Sequence, residues 1–336
     1  MSDDSAATEA ASPSESTDDH RGSHEITIPL THIKLAGQNW PAEAEASEKL
    51  PVLALHGWLD NAASFRRLIP LLPKDRRFVA LDLPGHGLSE HRPAGSYGYF
   101  MDYVPFVFEA ADALGWERFV LMGHSMGAGI GTLAAGTFPD RVAGLILIDG
   151  MGPLTESDEG APARFRSFLQ SVRRAQKSEA RDRGAAPGDS SSAAAVTNTG
   201  GGSVYSSEDH AVRARKLVGG LSDASARLLV QRNLMQRLDG QGAVDGFIWR
   251  TDARLKLPSP MRLTEKQVRA FLSEIEAPTL MLAALDSEFA AYENLIQARA
   301  GSIRDLSTKK LSGGHHLHME NPEPVAQAIA EFLGRV

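Results

Sequence analysis

The pentapeptide Gly123-His124-Ser125-Met126-Gly127 constrains this chain more than any other feature. Upstream, Phe119-Val120-Leu121-Met122 is a short apolar run of strand character. Downstream, Ala128 to Ala135 reads as the small-residue start of a packed helix. A serine between a strand and a helix, with glycine two positions away on either side, implies a very sharp turn. A side chain at Gly123 or Gly127 would clash there, and the serine itself sits at a strained backbone angle. Its hydroxyl then projects above the sheet, beside helix N-terminal amides that favour negative charge. G-x-S-x-G also recurs by chance, so its weight depends on the rest of the chain.

The rest of the chain supplies an α/β rhythm. Ile26-Thr27-Ile28 and Ile33-Lys34-Leu35 form an opening antiparallel pair. Residues 51–55, 78–81, 119–122 and 145–148 read as buried strands, separated by helical candidates at 63–72, 102–114 and 126–137. Unbroken apolar runs of this length suit a parallel sheet covered on both faces. The alternation implies a doubly wound, mostly parallel sheet. Residues 154–265 break the rhythm and read as an inserted helical cap, with amphipathic helices at 162–174 and 208–238. Within it, the polar Gly/Ser/Ala-rich tract 176–206 is expected to be a mobile loop. Strands at 279–282 and 307–311 and a closing helix at 323–333 complete the core. Its two parts are thus 25–153 and 266–336, and the acidic residues 1–24 offer almost nothing to bury and are expected to be disordered.

Composition excludes several classes of function. A net charge of -7 with no basic stripe argues against a nucleic-acid partner. The absence of cysteine removes disulfides and thiolate metal sites and is compatible with a reducing compartment. The N-terminus lacks the basic and apolar regions of a signal peptide, and no apolar run is long enough to span a membrane. A cytoplasmic protein is therefore the expectation, with its oligomeric state open. His315-His316-Leu317-His318 is rich in ligand types, but no second cluster completes a metal site. Gly127 to Gly131 lacks dinucleotide-binding spacing and a phosphate-loop lysine, so no cofactor is expected.

Every distinctive motif falls where a strand should end, which is where open α/β sheets gather their ligands. These motifs are His56-Gly57-Trp58, Asp82 through Ser89, Asp286, and Gly313-Gly314-His315-His316-Leu317-His318. On these residues the chain resembles the α/β-hydrolase family over roughly 25–155 and 264–336, in the order Ser, Asp, His. The stretch from Leu114-Gly115-Trp116 through Ala128 resembles its serine hydrolase-like branch. Arg232-Asn233-Leu234 and Trp249-Arg250-Thr251-Asp252 are similar to that branch's cap.

The resemblance implies a serine hydrolase acting on a carboxylic ester or related small acyl compound. Ser125 is its nucleophile, and a base must take the hydroxyl proton as it attacks. His315, five residues before Glu320, has the family's spacing for that base, with His316 and His318 as alternatives. Asp286, after the expected strand, is the expected acid, although the usual glycine of its loop is Ala284 here. Asp149 is the runner-up and Glu288 a remote third. The backbone N–H groups of Trp58 and Met126 are expected to form the oxyanion hole. His56 and Asp82 read as turn-stabilising, His124 as a support behind the serine, and Asp60 and Asn61 as caps for a helix near Ala63. Lactone hydrolysis, carbon–carbon bond hydrolysis and cofactor-free perhydrolysis remain open on the same triad. The alternative of another class is a non-catalytic scaffold that uses cap and tail as binding surfaces.

Overall fold

The computed structural model describes residues 22–43, 48–93, 95–182, 203–288, 291 and 293–336. The chain opens with strands β1 (His24–Pro29) and β2 (Lys34–Trp40), followed by β3 (Val52–Leu55), β4 (Phe78–Leu81) and helix α1 (Val104–Ala113). Strand β5 (Phe119–His124), helix α2 (Met126–Thr137) and strand β6 (Val142–Ile148) come next. An inserted segment carries α3 (Ala161–Asp182), α4 (Glu208–Gly219), α5 (Asp223–Asn233) and the hairpin β7 (Leu234–Leu238) and β8 (Val244–Trp249). Helix α6 (Glu265–Ser273) leads back to β9 (Thr279–Ala284), α7 (Glu293–Ala300), β10 (Leu306–Leu311), α8 (Leu317–Glu320) and α9 (Pro322–Leu333).

Eight strands form one sheet in the order β1-β2-β4-β3-β5-β6-β9-β10. The pairs β1–β2 and β2–β4 are antiparallel, and the others are parallel. Alternation along each strand sorts side chains onto two faces. Leu53, Leu55, Leu121, Leu145 and Leu147 pack with Val107 of α1, Ile130 of α2 and Val268 of α6. Val52, Ala54, Val120, Met122 and Ile146 pack on the other face with Phe65, Val325 and Ile329. Both faces are covered, as the unbroken apolar runs require. Strand β3 lies between β4 and β5, so the β3–β4 connection runs to one side and the β4–β5 connection returns past it to the other, and the crevice beyond its C-terminal end is the natural ligand position.

The inserted segment has a small core of its own, in which Tyr205, Val212, Leu229 and Val230 close around Met319 of α8. It is also fastened electrostatically. The buried Arg232 of α5 places Nε 3.0 and 2.9 Å from the two oxygens of Asp82, and Nη1 2.6 Å from Glu25 of β1. Asp82 also accepts the N–H groups of Ala62 and Leu88, which makes it the turn-stabilising residue expected.

Several local expectations need correction. Residues 63–72 form two short 3-10 turns, 62–65 and 69–71, because Pro70 has no amide hydrogen to continue a helix. The span 208–238 is two helices and a strand. Gly220, at φ 60°, ends α4, and Ser222 caps α5 by accepting the Ser225 N–H. Beyond Asn233 the chain turns to extended structure, and the tight turn after β7 is held by Asp239, which accepts from Gln241 and Ala243. Of the tract 176–206, residues 176–182 belong to α3. Tyr205 is buried, with both its backbone groups bonded to Phe247. Residues 183–202, like 1–21 of the tail, lie outside the described residues, whereas His24 already belongs to β1.

Candidate active site

Ser125 sits between β5 and α2 at φ 52°, a left-handed conformation rare for a residue with a side chain. The flanking glycines are steric necessities. A Cβ on Gly123 would lie 2.3 Å from the backbone of Gly127, and one on Gly127 would lie 2.1 Å from the carbonyl oxygen of Leu55. The turn packs serine, helix and β3 so closely that neither position has room for a methyl group.

The His315 ring bridges two groups. Its Nε2 lies 2.9 Å from Ser125 Oγ and its Nδ1 lies 2.6 Å from Asp149 Oδ2. Asp149 follows β6 directly, is 4% exposed, and also has a left-handed backbone at φ 46°. It is fully engaged: Oδ1 accepts the Ala284 N–H at 3.0 Å and Oδ2 accepts the Ser287 hydroxyl at 2.6 Å. Since a carboxylate only accepts, Nδ1 carries the histidine proton and Nε2 offers its lone pair to the serine.

The carboxylate set against the histidine is Asp149 and not Asp286, the expected acid. Asp286 lines the same cleft, but its backbone N–H bonds to the Gly313 carbonyl and its exposed carboxylate accepts the Gly313 N–H at 3.2 Å. The end of β9 and the loop after it contribute instead the Ala284 amide and the Ser287 hydroxyl, both directed at Asp149. Glu288 is exposed at the cleft and Asp149, the runner-up, faces the histidine.

The other histidines separate cleanly from His315. His318 is fully buried, 4.1 Å from the His124 ring and 5.5 Å from Phe65, and burial pushes its pKa down to about 3. His124 donates from Nε2 to the His315 carbonyl at 2.9 Å. Burial, aided by the neighbouring histidines, holds its pKa well below the usual value. His56 donates from Nδ1 to the Gly57 carbonyl and accepts the Leu83 N–H on Nε2, and burial pushes its pKa down to about 4. Asn61 caps the turn at 62–65 as expected, accepting from Ala63. Asp60 does not: it is buried among Arg215, His316 and His124. Its link to Arg215 was invisible in the sequence, because nothing in the composition of α4 singles out that arginine.

Trp58, in the loop after β3, and Met126, at the start of α2, line the cleft with Ser125, and neither backbone N–H donates to an acceptor among the described residues. The Trp58 indole donates to the Leu255 carbonyl at 3.1 Å, which fixes the ring across the cleft. The cleft encloses about 1300 Å³ and is walled by Met126, Phe100, Leu263 and Ile296, with Leu217 and Val218 of α4 at its rim. Among the described residues no group of three or more histidine or acidic side chains is arranged to hold a metal ion, and no helix is long and apolar enough to cross a membrane.

The chain matches a family model described as the alpha/beta hydrolase fold over residues 51–200. It is 32% identical to a serine hydrolase-like protein of Danio rerio over 319 residues, covering 93% of this chain and 89% of that one. It is 30% identical to serine hydrolase-like protein 2 of Homo sapiens, covering 92% of each. The crystal structure of a hypothetical protein from Pseudomonas aeruginosa PAO1 superimposes with a TM-score of 0.78 at 38% identity, over 93% of this chain and 98% of that one. A thioesterase domain from the curacin biosynthetic pathway shares the fold, with a TM-score of 0.70 at 24% identity over 93% and 99% of the two chains. Relatives this similar along nearly their whole length, together with a parallel sheet that carries a serine on a strand-to-helix elbow, make the chain a member of the α/β-hydrolase family.

Proposed function

We propose that the protein is a serine hydrolase that cleaves a carboxylic ester or a related acyl compound through an acyl-enzyme. The observation that carries this reading is the His315 ring, held between Ser125 Oγ at 2.9 Å and Asp149 Oδ2 at 2.6 Å. Ser125 Oγ attacks the acyl carbon while its proton passes to His315 Nε2. Asp149 fixes the tautomer that leaves Nε2 free and stabilises the imidazolium that forms. The N–H groups of Trp58 and Met126 receive the oxyanion, and the positive end of α2 adds to the stabilisation. His315 then returns its proton to the departing alkoxide. Water attacks the acyl-enzyme with His315 as base, and the carboxylic acid leaves.

The inserted segment acts as the cap of this site, mostly helical as expected but with the β7–β8 hairpin added. Its apolar rim and the apolar walls below suit a substrate whose non-reacting part is largely hydrocarbon. The non-catalytic alternative rested on the missing loop glycine at Ala284. That residue's amide is committed to Asp149, so the irregular loop supports a triad with a relocated acid. The test is a fluorophosphonate probe together with pre-steady-state hydrolysis of p-nitrophenyl acetate. Stoichiometric labelling of Ser125 and a burst of p-nitrophenol, or steady turnover blocked by the probe, are expected. A folded protein that neither labels nor turns over the ester would refute the proposal.

A further inference from the structure

We propose that Arg215 and Asp60 form a positioning pair through which the seating of α4 sets the orientation of His315, an inference that rests on the triad described above. Asp60 is 1% exposed, and a carboxylate taken out of water to that degree needs a counter-charge. Among the described residues its permanently charged partner is Arg215, which reaches in from α4 to bring Nη2 within 2.5 Å of Oδ1. Burial alone would raise the Asp60 pKa, but His316, Arg215 and His124 more than offset it and the carboxyl stays ionised.

The other oxygen of Asp60 faces two histidines that adjoin the base. Oδ2 lies 3.3 Å from His316 Nε2 and 3.8 Å from His124 Nδ1. His316 is the next residue after the base. His124 donates its Nε2 proton to the main-chain carbonyl of His315 itself. The loop that presents His315 is therefore held at its neighbouring ring, which pairs with Asp60, and at its carbonyl by His124, whose ring packs beside Asp60. His124 cannot stand in for the arginine: its proton is on Nε2, and the Nδ1 facing Asp60 has no hydrogen-bond partner. When α4 lifts, Asp60 loses its counter-charge and the loop loses its support. When α4 is seated, His315 is aligned.

The test compares the full-length wild type with Arg215→Met, Arg215→Lys and the double variant Asp60→Asn/Arg215→Met, using p-nitrophenyl acetate. Arg215→Met is expected to lower kcat about 10- to 100-fold, the scale on which a misplacement of about 1 Å acts, with KM changed less than about threefold. Arg215→Lys, which keeps the charge, should recover most of kcat. The double variant removes both charges, so it should regain the wild-type melting temperature yet stay slow. The downfield Nδ1 proton resonance of His315, sharp in the wild type and in Arg215→Lys, should broaden in the two slow proteins. Wild-type kcat in Arg215→Met, or recovery of kcat together with stability in the double variant, would overturn the proposal and leave a purely structural ion pair. If Arg215→Met does not fold, Arg215→Gln and the double variant carry the same comparison. Failure of the wild type to label with a fluorophosphonate would refute the triad itself, which is a separate outcome.

Discussion

Asp149→Asn tests the acid directly, because the hydrogen bonds around the residue decide what the amide must do. The wild-type carboxylate accepts from the Ala284 N–H at 3.0 Å, from Ser287 Oγ at 2.6 Å and from His315 Nδ1 at 2.6 Å. Asparagine has a single oxygen to offer. If that oxygen faces His315, its NH2 group points at the buried Ala284 N–H, and the two opposed donors cost about 1–3 kcal/mol. If it faces Ala284, the NH2 group points at His315 Nδ1, and the ring proton must move to Nε2. The second arrangement wins by that margin, and in it Nε2 can no longer accept the serine proton. The loss of kcat should be about 10⁴-fold, equivalent to roughly 5.5 kcal/mol of transition-state stabilisation. Asp286→Asn removes charge from one exposed acceptor of the Gly313 N–H and should change kcat less than about threefold. Steady-state hydrolysis of p-nitrophenyl acetate, with thermal melts to verify folding, makes the comparison. If Asp286→Asn is the crippling change, or Asp149→Asn loses less than about tenfold with its melt intact, the assignment of the acid falls.

Ser125→Ala should fold normally and lose both ester hydrolysis and probe labelling; labelling that survives would mean another nucleophile. His315→Ala should lower kcat by about 10³-fold or more, and His316→Ala by far less. His318→Ala should act chiefly on the melting temperature, since it empties a fully buried site; a kcat loss in His316→Ala equal to that of His315→Ala would contradict this order. Stability should fall in mild acid. Burial pushes the pKa of His56 down to about 4 and those of His86 and His318 down to about 3, all below the ordinary 6.5. The unfolded chain therefore binds more protons than the folded one from about pH 6.5 downward. By pH 5 each of these histidines should cost about 2 kcal/mol of stability. The depressed Asp60 adds its loss only below its ordinary 3.8. Urea midpoints at pH 7.5 and 5 check this, and equal midpoints would refute it.

The core was legible because its signals are local. Apolar runs such as 52–55 and 119–122 are continuous because both sheet faces are covered, and the elbow declares itself by two glycines that have no room for a side chain. The insertion was less legible. The break at Gly219-Gly220 and the Asp239-Gly240 turn are visible afterwards as a helix stop and a hairpin signal, but helical periodicity around them masked both. Asp149 was ranked behind Asp286 for a different reason. Spacing identifies which strand ends carry carboxylates but not which carboxylate the histidine faces, and Asp149 and Asp286 both line the same cleft. The sign available was Ala284, where the loop lacks the usual glycine. Long-range pairs such as Arg215 with Asp60 leave no mark in the sequence, because neither neighbourhood has a pattern that refers to the other.

The position of Asp149 has a mechanical consequence. Ser125 and Asp149 follow adjacent parallel strands of one β5-α2-β6 unit, and the Ser125 N–H is bonded to the Ile148 carbonyl beside the acid. His315 stands 190 and 166 residues from them in the sequence and arrives from the far end of the chain. In the proposed triad, nucleophile and acid thus belong to one β-α-β unit, and the proton carrier comes from a separate loop. A shift of the His315 loop would therefore change its distance to both partners, while the β5–β6 pairing would hold the serine and the aspartate at their mutual spacing. The loop after β9, which in the proposed triad does not hold the acid, carries the exposed Asp286 and Glu288 at the cleft.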